Sequence, residues 1–318
     1  MRAVQVRRFG GPEVLETVEV PEPTVGPGQV LIEVDAAEVL FLDTQLRAGW
    51  GREYFELELP FVPGAGVVGV VRSGTELAGR RVIAGTGGIG TYAGGGYAER
   101  AAVPEAEVFP IPDAMEPWLA LTALHDGATA LAQLERGKVA PGERVLVTAA
   151  TGNLGNWLIP LLSASGATVV AAARGAVKLR RAEELGAREV ADYSVPGWTG
   201  EVEPVDIVFD ATGGAIGRAA YELTRPGGRF LAYGSASGDF TVPVEDRDDV
   251  TTAGIFQPGP GEWRELARRA LGELAHGRLT PAIGQTFSLS EATQAHAAIE
   301  ARRTLGKTLL VTGTSGGR

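Results

Sequence analysis

Two hydrophobic rhythms divide the chain. Up to about residue 110, apolar and polar residues alternate in short runs, the period of half-buried strands. Arg2-Ala3-Val4-Gln5-Val6 alternates, and Val14 to Val20 alternates again after the Gly11-Pro12 turn. Gln29 to Ala37 reads as a strong strand, with further strands within 60–71, at 80–84 and at 96–104. A short helix is predicted over 39–48. From Pro117 the rhythm becomes helix and strand in turn. Residues 117–134 read as one Ala-rich helix with Gly127 inside it. Arg144 to Thr148 is a strand, an apolar helix follows the next turn, and Ala167 to Ala173 is a second strand. Helix 176–185, strand 189–193, buried strand 206–211, helix 215–223 and strand 229–234 continue the series. Helix 262–276, strand 286–289, helix 290–302 and strand 307–311 close the chain.

Repeated β–α units with glycine at strand ends predict an α/β fold with an open, doubly wound sheet. Ligands of such sheets lie at the carboxyl edge of the strands. That edge brings together Ala150 to Gly155, Ala173-Arg174, Thr212-Gly213 and Gly234-Ser235. The turn Thr151-Gly152-Asn153-Leu154-Gly155 stands where a dinucleotide pyrophosphate sits. Gly152 and Gly155 admit close backbone approach, and the helix after them offers N–H groups and a positive dipole end. The first glycine of G-x-G-x-x-G is missing; Ala150 stands there, so an ordinary tight β–α turn is the plainer alternative. In NAD sites a carboxylate about twenty residues beyond the turn grips the ribose. Ala171 to Ala173 offers none, whereas Arg174 and Lys178 suit a 2′-phosphate. NADPH is therefore expected over NADH, against the alternative that both are solvated residues at a helix start.

Charge and composition narrow the partners. The formal charge is −10, from 29 Lys plus Arg against 39 Asp plus Glu, which argues against nucleic acid or an anionic membrane. Without cysteine there is no disulfide, thiolate nucleophile or Cys-based zinc site. Met1 to Leu15 has no apolar core of the signal-peptide kind, and no apolar run is long enough to span a bilayer, so a cytoplasmic protein is expected. Of the 45 glycines, many gather at 85–90 and 94–96, as in a loop over a site.

Taken in order, several short motifs resemble one family. They are Gly28-Gln29-Val30-Leu31-Ile32, Asp43-Thr44, Pro60-Phe61-Val62-Pro63-Gly64, Gly96-Tyr97-Ala98-Glu99, Ala149 to Gly155, Glu184-Leu185-Gly186-Ala187, Pro226-Gly227-Gly228-Arg229 and Gly306-Lys307-Thr308-Leu309-Leu310. The chain resembles the zinc-free quinone oxidoreductase branch of the medium-chain dehydrogenase/reductase superfamily along nearly its whole length. The resemblance implies a mostly β, GroES-like catalytic domain over 1–117 and 261–318. A Rossmann dinucleotide-binding domain over 118–260 is inserted in it. It also implies a homodimer joined through the edges of the nucleotide-domain sheets. Lys178 and Tyr193 fall where a Lys and a Tyr hold the 2′-phosphate, beside Arg174. The expected cofactor set is Asp43, Thr129, Thr151, Gly152, Asn153, Leu154, Arg174, Lys178, Tyr193, Thr212, Gly213, Gly234, Ser235 and Phe256.

Departures from the family are informative. The positions of the zinc ligands in metal-bearing relatives are Leu40, Ala65 and Gly66, and none supplies a donor. Quinone reductases often carry Asn at Leu40 and Tyr at Gln45; both are missing, which predicts an apolar pocket floor of Leu40, Gln45, Trp50 and Ala65. Hydride transfer without a metal suits a quinone or an α,β-unsaturated carbonyl, with a developing enolate to stabilise. Candidate proton donors are His125, Tyr54 and Tyr92, water being the alternative. For His125 a structural bond to Asp126 or backbone is the competing reading, for the tyrosines an aromatic lid, and for Asp43 a cap on helix 39–48. His276 and His296 are expected at the surface. Two rival functions are a cofactor-gated regulator without turnover and a non-redox enzyme, such as a cyclase, that reuses the cleft.

Overall fold

The computed structural model describes residues 1–52, 57–72, 75–87, 95–239, 247–255 and 258–313. The first stretch contains β1 (Arg2–Val6), β2 (Leu15–Glu19), β3 (Gln29–Val39) and α1 (Phe41–Ala48). It continues with β4 (Gly66–Val71), β5 (Arg81–Gly85), β6 (Arg100–Pro104), β7 (Val108–Pro110) and α2 (Pro117–Thr122). Next come α3 (Ala128–Gly137), β8 (Arg144–Thr148), α4 (Gly155–Ala164), β9 (Thr168–Ala173) and α5 (Ala176–Glu184). Then follow β10 (Glu189–Asp192), β11 (Val205–Asp210), α6 (Gly214–Glu222), β12 (Thr224–Ala232) and β13 (Thr251–Ala253). The chain ends with α7 (Pro260–Ala275), β14 (Ile283–Ser288), α8 (Ala292–Glu300) and β15 (Lys307–Val311).

Two compact units result. One comprises 1–125, 267–278 and 282–318; the other comprises 126–266 and 279–281. The divisions fall at 125/126 and 266/267, where the motifs suggest 117/118 and 260/261. The physical reason at the first joint is packing: α2 lies against β4 and β5 and so belongs with the β-rich unit. The single helix expected over 117–134 is corrected by the structure. It is α2, one π-helical turn over Ala123–Gly127, and then α3.

In the β-rich unit, β1 and β2 form an antiparallel hairpin from Arg2↔Glu19 to Val6↔Leu15. The main sheet runs β14-β15-β3-β4-β5-β7, and β6 also pairs with β3. β3 is its axis, bonded antiparallel to β15, β4 and β6. Inward positions Val30, Ile32 and Val34 are fully buried, as alternation requires. The alternation then fails. A register shift between Val34 and Ala36 leaves Ala36, Ala37, Glu38 and Val39 all buried.

The second unit is a parallel sheet of order β10-β9-β8-β11-β12-β13. The chain winds outward from β8 through β9 to β10, then restarts beside β8 with β11 and winds outward the other way. That is the doubly wound order, and its switch point lies between the carboxyl ends of β8 and β11. β8 and β11 are flanked by strands on both sides, which explains the unbroken burial of Val205–Asp210. α4 packs on β8 and β9 with Trp157 wholly buried. Removing so large a buried side chain costs about 3–5 kcal/mol.

Candidate functional sites in each unit

The carboxyl edge of the parallel sheet is assembled by turns. After β8 the backbone doubles back at Ala149, whose φ of 49° is left-handed. This conformation costs a residue with a Cβ of order 1–2 kcal/mol. The tight turn is thus made one residue before Ala150, without glycine. Gly155 has a packing role: a Cβ there would run into the Ala150 carbonyl, so only glycine lets α4 start against the turn. Gly152, where a Cβ would lie 3.2 Å from the Ala149 carbonyl, is partly exposed like Asn153 and Leu154, whereas Thr151 is buried. The Asn156 amide donates to the carbonyls of Thr151 (3.2 Å) and Gly152 (2.9 Å). These turn carbonyls are thereby held back, and Gly152 to Leu154 line the start of α4, where helix N–H groups lack intrahelical partners.

Asp210, which ends β11, ties the switch point together. Its Oδ1 accepts from Thr148 Oγ1 (2.7 Å), Thr212 Oγ1 (2.7 Å) and Thr212 N (3.0 Å), and its Oδ2 accepts from Gly213 N (3.1 Å). Thr148 Oγ1 also accepts from Ala211 N at 2.9 Å. Thr212 and Gly213 are therefore shaped by an inner carboxylate. Gly234 is needed for proximity, since a Cβ there would lie 2.8 Å from the Ala211 carbonyl. It lets Ala236 N reach Ala211 O at 2.9 Å and buries Ser235 at the same edge. Thr129, on α3, is partly exposed.

Farther along the edge, the Arg174 guanidinium lies 5.9 Å from the centre of the Tyr193 ring, a cation–π arrangement. Gly175, at φ 78°, turns the chain from β9 into α5, and Lys178 sits in that helix's first turn, its N–H on Gly175 O at 3.1 Å. Arg174, Lys178 and Tyr193 thus gather at one end of β9 and β10. An acid also stands here. Asp192 accepts from Ser194 N (2.9 Å) and Ser194 Oγ (2.5 Å). The Ser194 hydroxyl bond, then backbone N–H groups of Ser194 and Gly175 and the Arg174 charge, hold its carboxyl below the usual range against the opposing effect of desolvation. The twenty-residue count from the turn falls on β9, whereas this acid ends β10.

The β-rich unit holds side-chain networks. Asp43 Oδ2 accepts from Leu40 N at 2.8 Å, capping α1, and from the Tyr97 hydroxyl at 3.3 Å. With 1% exposure, Asp43 is a buried cap, the structural alternative for that residue. Tyr97 also bonds His296 Nε2 at 3.0 Å. His296 is fully buried, which corrects its expected place at the surface; His276 is exposed. Desolvation, and then the Arg47 charge, push the His296 imidazole down to about 3, so it is neutral. Arg47 itself is buried and paired with Glu300. Leu40 and Ala65 are buried, while Gln45 and Trp50, at the far end of α1, are partly exposed and linked by Trp50 N on Gln45 O at 3.0 Å.

His125 has a carboxylate partner on a distant strand. Its Nδ1 pairs with Glu38 Oε1, and Lys307 Nζ pairs with Glu38 Oε2. Glu38 is 0% exposed, Lys307 1% and His125 6%. Burial pushes the Glu38 carboxyl up, but the charges of His125 and Lys307 and their hydrogen bonds outweigh it and bring it down to about 2. The sequence signal for this cluster was a charged residue, Glu38, where the strand's alternation stops. Tyr54, Tyr92 and Phe256 lie outside the described residues.

A zinc ion does not fit the positions at which metal-bearing relatives hold one. Leu40, Ala65 and Gly66 carry no donor atom, and among the described residues no three His, Cys, Asp or Glu side chains are grouped to hold a metal. No helix among those residues is long and apolar enough to cross a membrane.

Comparison with known proteins agrees with this architecture. Residues 26–113 match the alcohol dehydrogenase GroES-like domain family, and residues 185–310 match a family described as zinc-binding dehydrogenase. The chain is 31% identical to a 2-haloacrylate reductase of Burkholderia sp, over 97% of this chain and 98% of that one. It is 31% identical to a probable quinone oxidoreductase of Schizosaccharomyces pombe, over 97% and 96%. Among solved structures, the quinone oxidoreductase of Thermus thermophilus, determined also in complex with NADPH, is 32% identical with a TM-score of 0.82, over 98% and 100%.

Proposed function

We infer a reductase, since the chain belongs to the quinone oxidoreductase branch of the medium-chain dehydrogenase/reductase superfamily. Its activity is that of an NADPH-dependent reductase acting on a quinone or an α,β-unsaturated carbonyl. The observation that carries this reading is the gathering of Arg174, Lys178 and Tyr193 at the end of β9 and β10, beside the turn Gly152–Leu154. A 2′-phosphate there meets two cations and a phenol, and the turn and helix start suit the pyrophosphate. The cofactor supplies hydride. The absence of donor atoms at Leu40, Ala65 and Gly66 favours an acceptor that needs no metal-polarised carbonyl, such as an electron-poor C=C conjugated to one.

The relatives support the same class. A 2-haloacrylate is a conjugated acid derivative, and quinones are conjugated dicarbonyls. The test is loss of reduced-nicotinamide absorbance when the purified protein meets NADPH and a panel of quinones, enals, cyclic enones and haloacrylates. Turnover of at least one member is expected. A tight NADPH complex that oxidises with none of them overturns the reading in favour of a regulator, and product formation without NADPH loss would point to a non-redox enzyme.

A further inference from the structure

β9 and β10 end side by side, with Asp192 opposite Ala173 at the last position of their pairing. The residues just past that position are Arg174 and Tyr193, and the Tyr193 N–H still reaches the Ala173 carbonyl at 3.2 Å. Both strands stop there. Arg174-Gly175 turns into α5, while the Val195 N–H bonds back to the Asp192 carbonyl at 3.1 Å and turns the chain away from β10. Arg174, Lys178 and Tyr193 thus lie where strand pairing no longer positions the chain.

Asp192 takes over that task. Its Oδ1 accepts from Ser194 N at 2.9 Å and from Ser194 Oγ at 2.5 Å, which closes the turn after β10. The same carboxylate accepts from the Gly175 N–H, in the turn after β9. One side chain therefore bridges both turns. Gly175 is left-handed at φ 78° and, as the residue before α5, brings no capping side chain of its own. Its carbonyl receives the N–H groups of Lys178 (3.1 Å) and Leu179 (3.2 Å). Gly175 is thus bonded on one side to Asp192 and on the other to the helical turn that carries Lys178. A carboxylate at a helix start is also favoured by the helix dipole. Arg174, between Ala173 and Gly175, meets the Tyr193 ring across the same gap.

A carboxylate at a strand end can instead grip ribose hydroxyls, as the acids of NAD sites do. Here Oδ1 is engaged by two Ser194 bonds, and the Arg174 charge acts on the carboxylate. Lone pairs and charge taken up in this way support a phosphate site more readily than they replace one.

We propose that Asp192 is a positioning residue of the cofactor site: it ties the turn after β9 to the turn after β10, keeps Arg174, Lys178 and Tyr193 gathered for the 2′-phosphate, and does not itself bind the ribose. The proposal deepens the NADPH reading above and rests on it.

The test is fluorescence titration of NADPH and NADH into wild type, Asp192→Ala, Asp192→Asn and Ser194→Ala. Asp192→Ala should weaken NADPH about tenfold and leave NADH within about threefold of wild type. Asp192→Asn keeps a carbonyl oxygen of the same shape for the Ser194 and Gly175 bonds, so NADPH should return to within about threefold of wild type or bind tighter. Ser194→Ala changes an exposed residue and removes one of the bonds, giving a reading independent of how Asp192→Ala folds. A loss of about two- to threefold, for NADPH only, is expected there. Weaker NADH in Asp192→Ala, with NADPH unchanged or tighter, would put the ribose on Asp192 and overturn the proposal. So would equal losses for both cofactors, no loss for either, or Asp192→Asn as weak as Asp192→Ala. With a wild type that prefers NADPH, those results overturn the positioning role alone. A wild type that binds NADH as tightly as NADPH overturns the 2′-phosphate reading beneath it.

Discussion

The carboxyl edge of the parallel sheet and the charge cluster of the β-rich unit are built on different principles. The edge is made from main chain: a left-handed Ala149, a helix start at Gly155, carbonyls held by Asn156 and amides drawn in by Asp210. Its charged side chains, Arg174 and Lys178, are added at the rim. The cluster is made from side chains alone: pairing of β3 with β15 brings Glu38 and Lys307 together, and His125 joins them from the π turn. A main-chain site tolerates many side chains and suits a ligand that rarely changes. A side-chain network holds only while each of its residues is kept.

The largest effect should come at the rim of the edge. Arg174→Ala/Lys178→Ala should cost about 3–4 kcal/mol of NADPH binding from two charge-assisted contacts, and leave NADH nearly untouched. Fluorescence titration of both cofactors checks this. Equal losses for NADPH and NADH would mean these residues support the fold of the edge and do not read the 2′-phosphate.

This contrast also accounts for what was legible in the sequence. The doubly wound sheet follows from runs such as Arg144–Thr148 and Val205–Asp210, because period and glycine placement are local. The turn after β8 is legible for the same reason, although Gly155 also answers to packing against the Ala150 carbonyl. Asp192 was missed because the expected acid was sought on β9, while the acid present ends the neighbouring strand β10. Glu38 was missed because it follows the register shift in β3, and pairing with Lys307 depends on a strand 269 residues away. His296 was misplaced because an Ala-rich helix gives little sign of which face is covered. The π turn at Ala123–Gly127 has no periodic signature short enough to read beside Gly127.

The β-rich unit should reveal its buried side chains in acid. His296 has its folded pKa depressed to about 3 from 6.5. Its contribution is intact above the unfolded value and is lost as pH falls from 6.5 toward 3, where the unfolded chain binds the extra proton. Stability should drop by about 1.4 kcal/mol per pH unit within that window from this group. Urea melts at pH 7 and pH 5 check it, and His296→Gln should flatten the dependence. An unchanged slope in the variant would show that other groups set the acid limb.

The smallest effect belongs to the main chain of the edge. Ala149→Gly removes the left-handed penalty at φ 49° but frees the unfolded chain, so a net gain under about 1 kcal/mol is expected. A loss would mean that the Ala149 methyl packs against something the turn depends on.

An edge that reads a 2′-phosphate must distinguish NADPH from NADH. The most direct measurement is the pair of dissociation constants of the wild-type protein for NADPH and NADH under one set of conditions. NADPH should bind tighter by at least about tenfold, the value of one charge-assisted contact. Equal affinities, or tighter NADH, would contradict it and make Asp192, not Arg174 and Lys178, the residue that addresses the ribose.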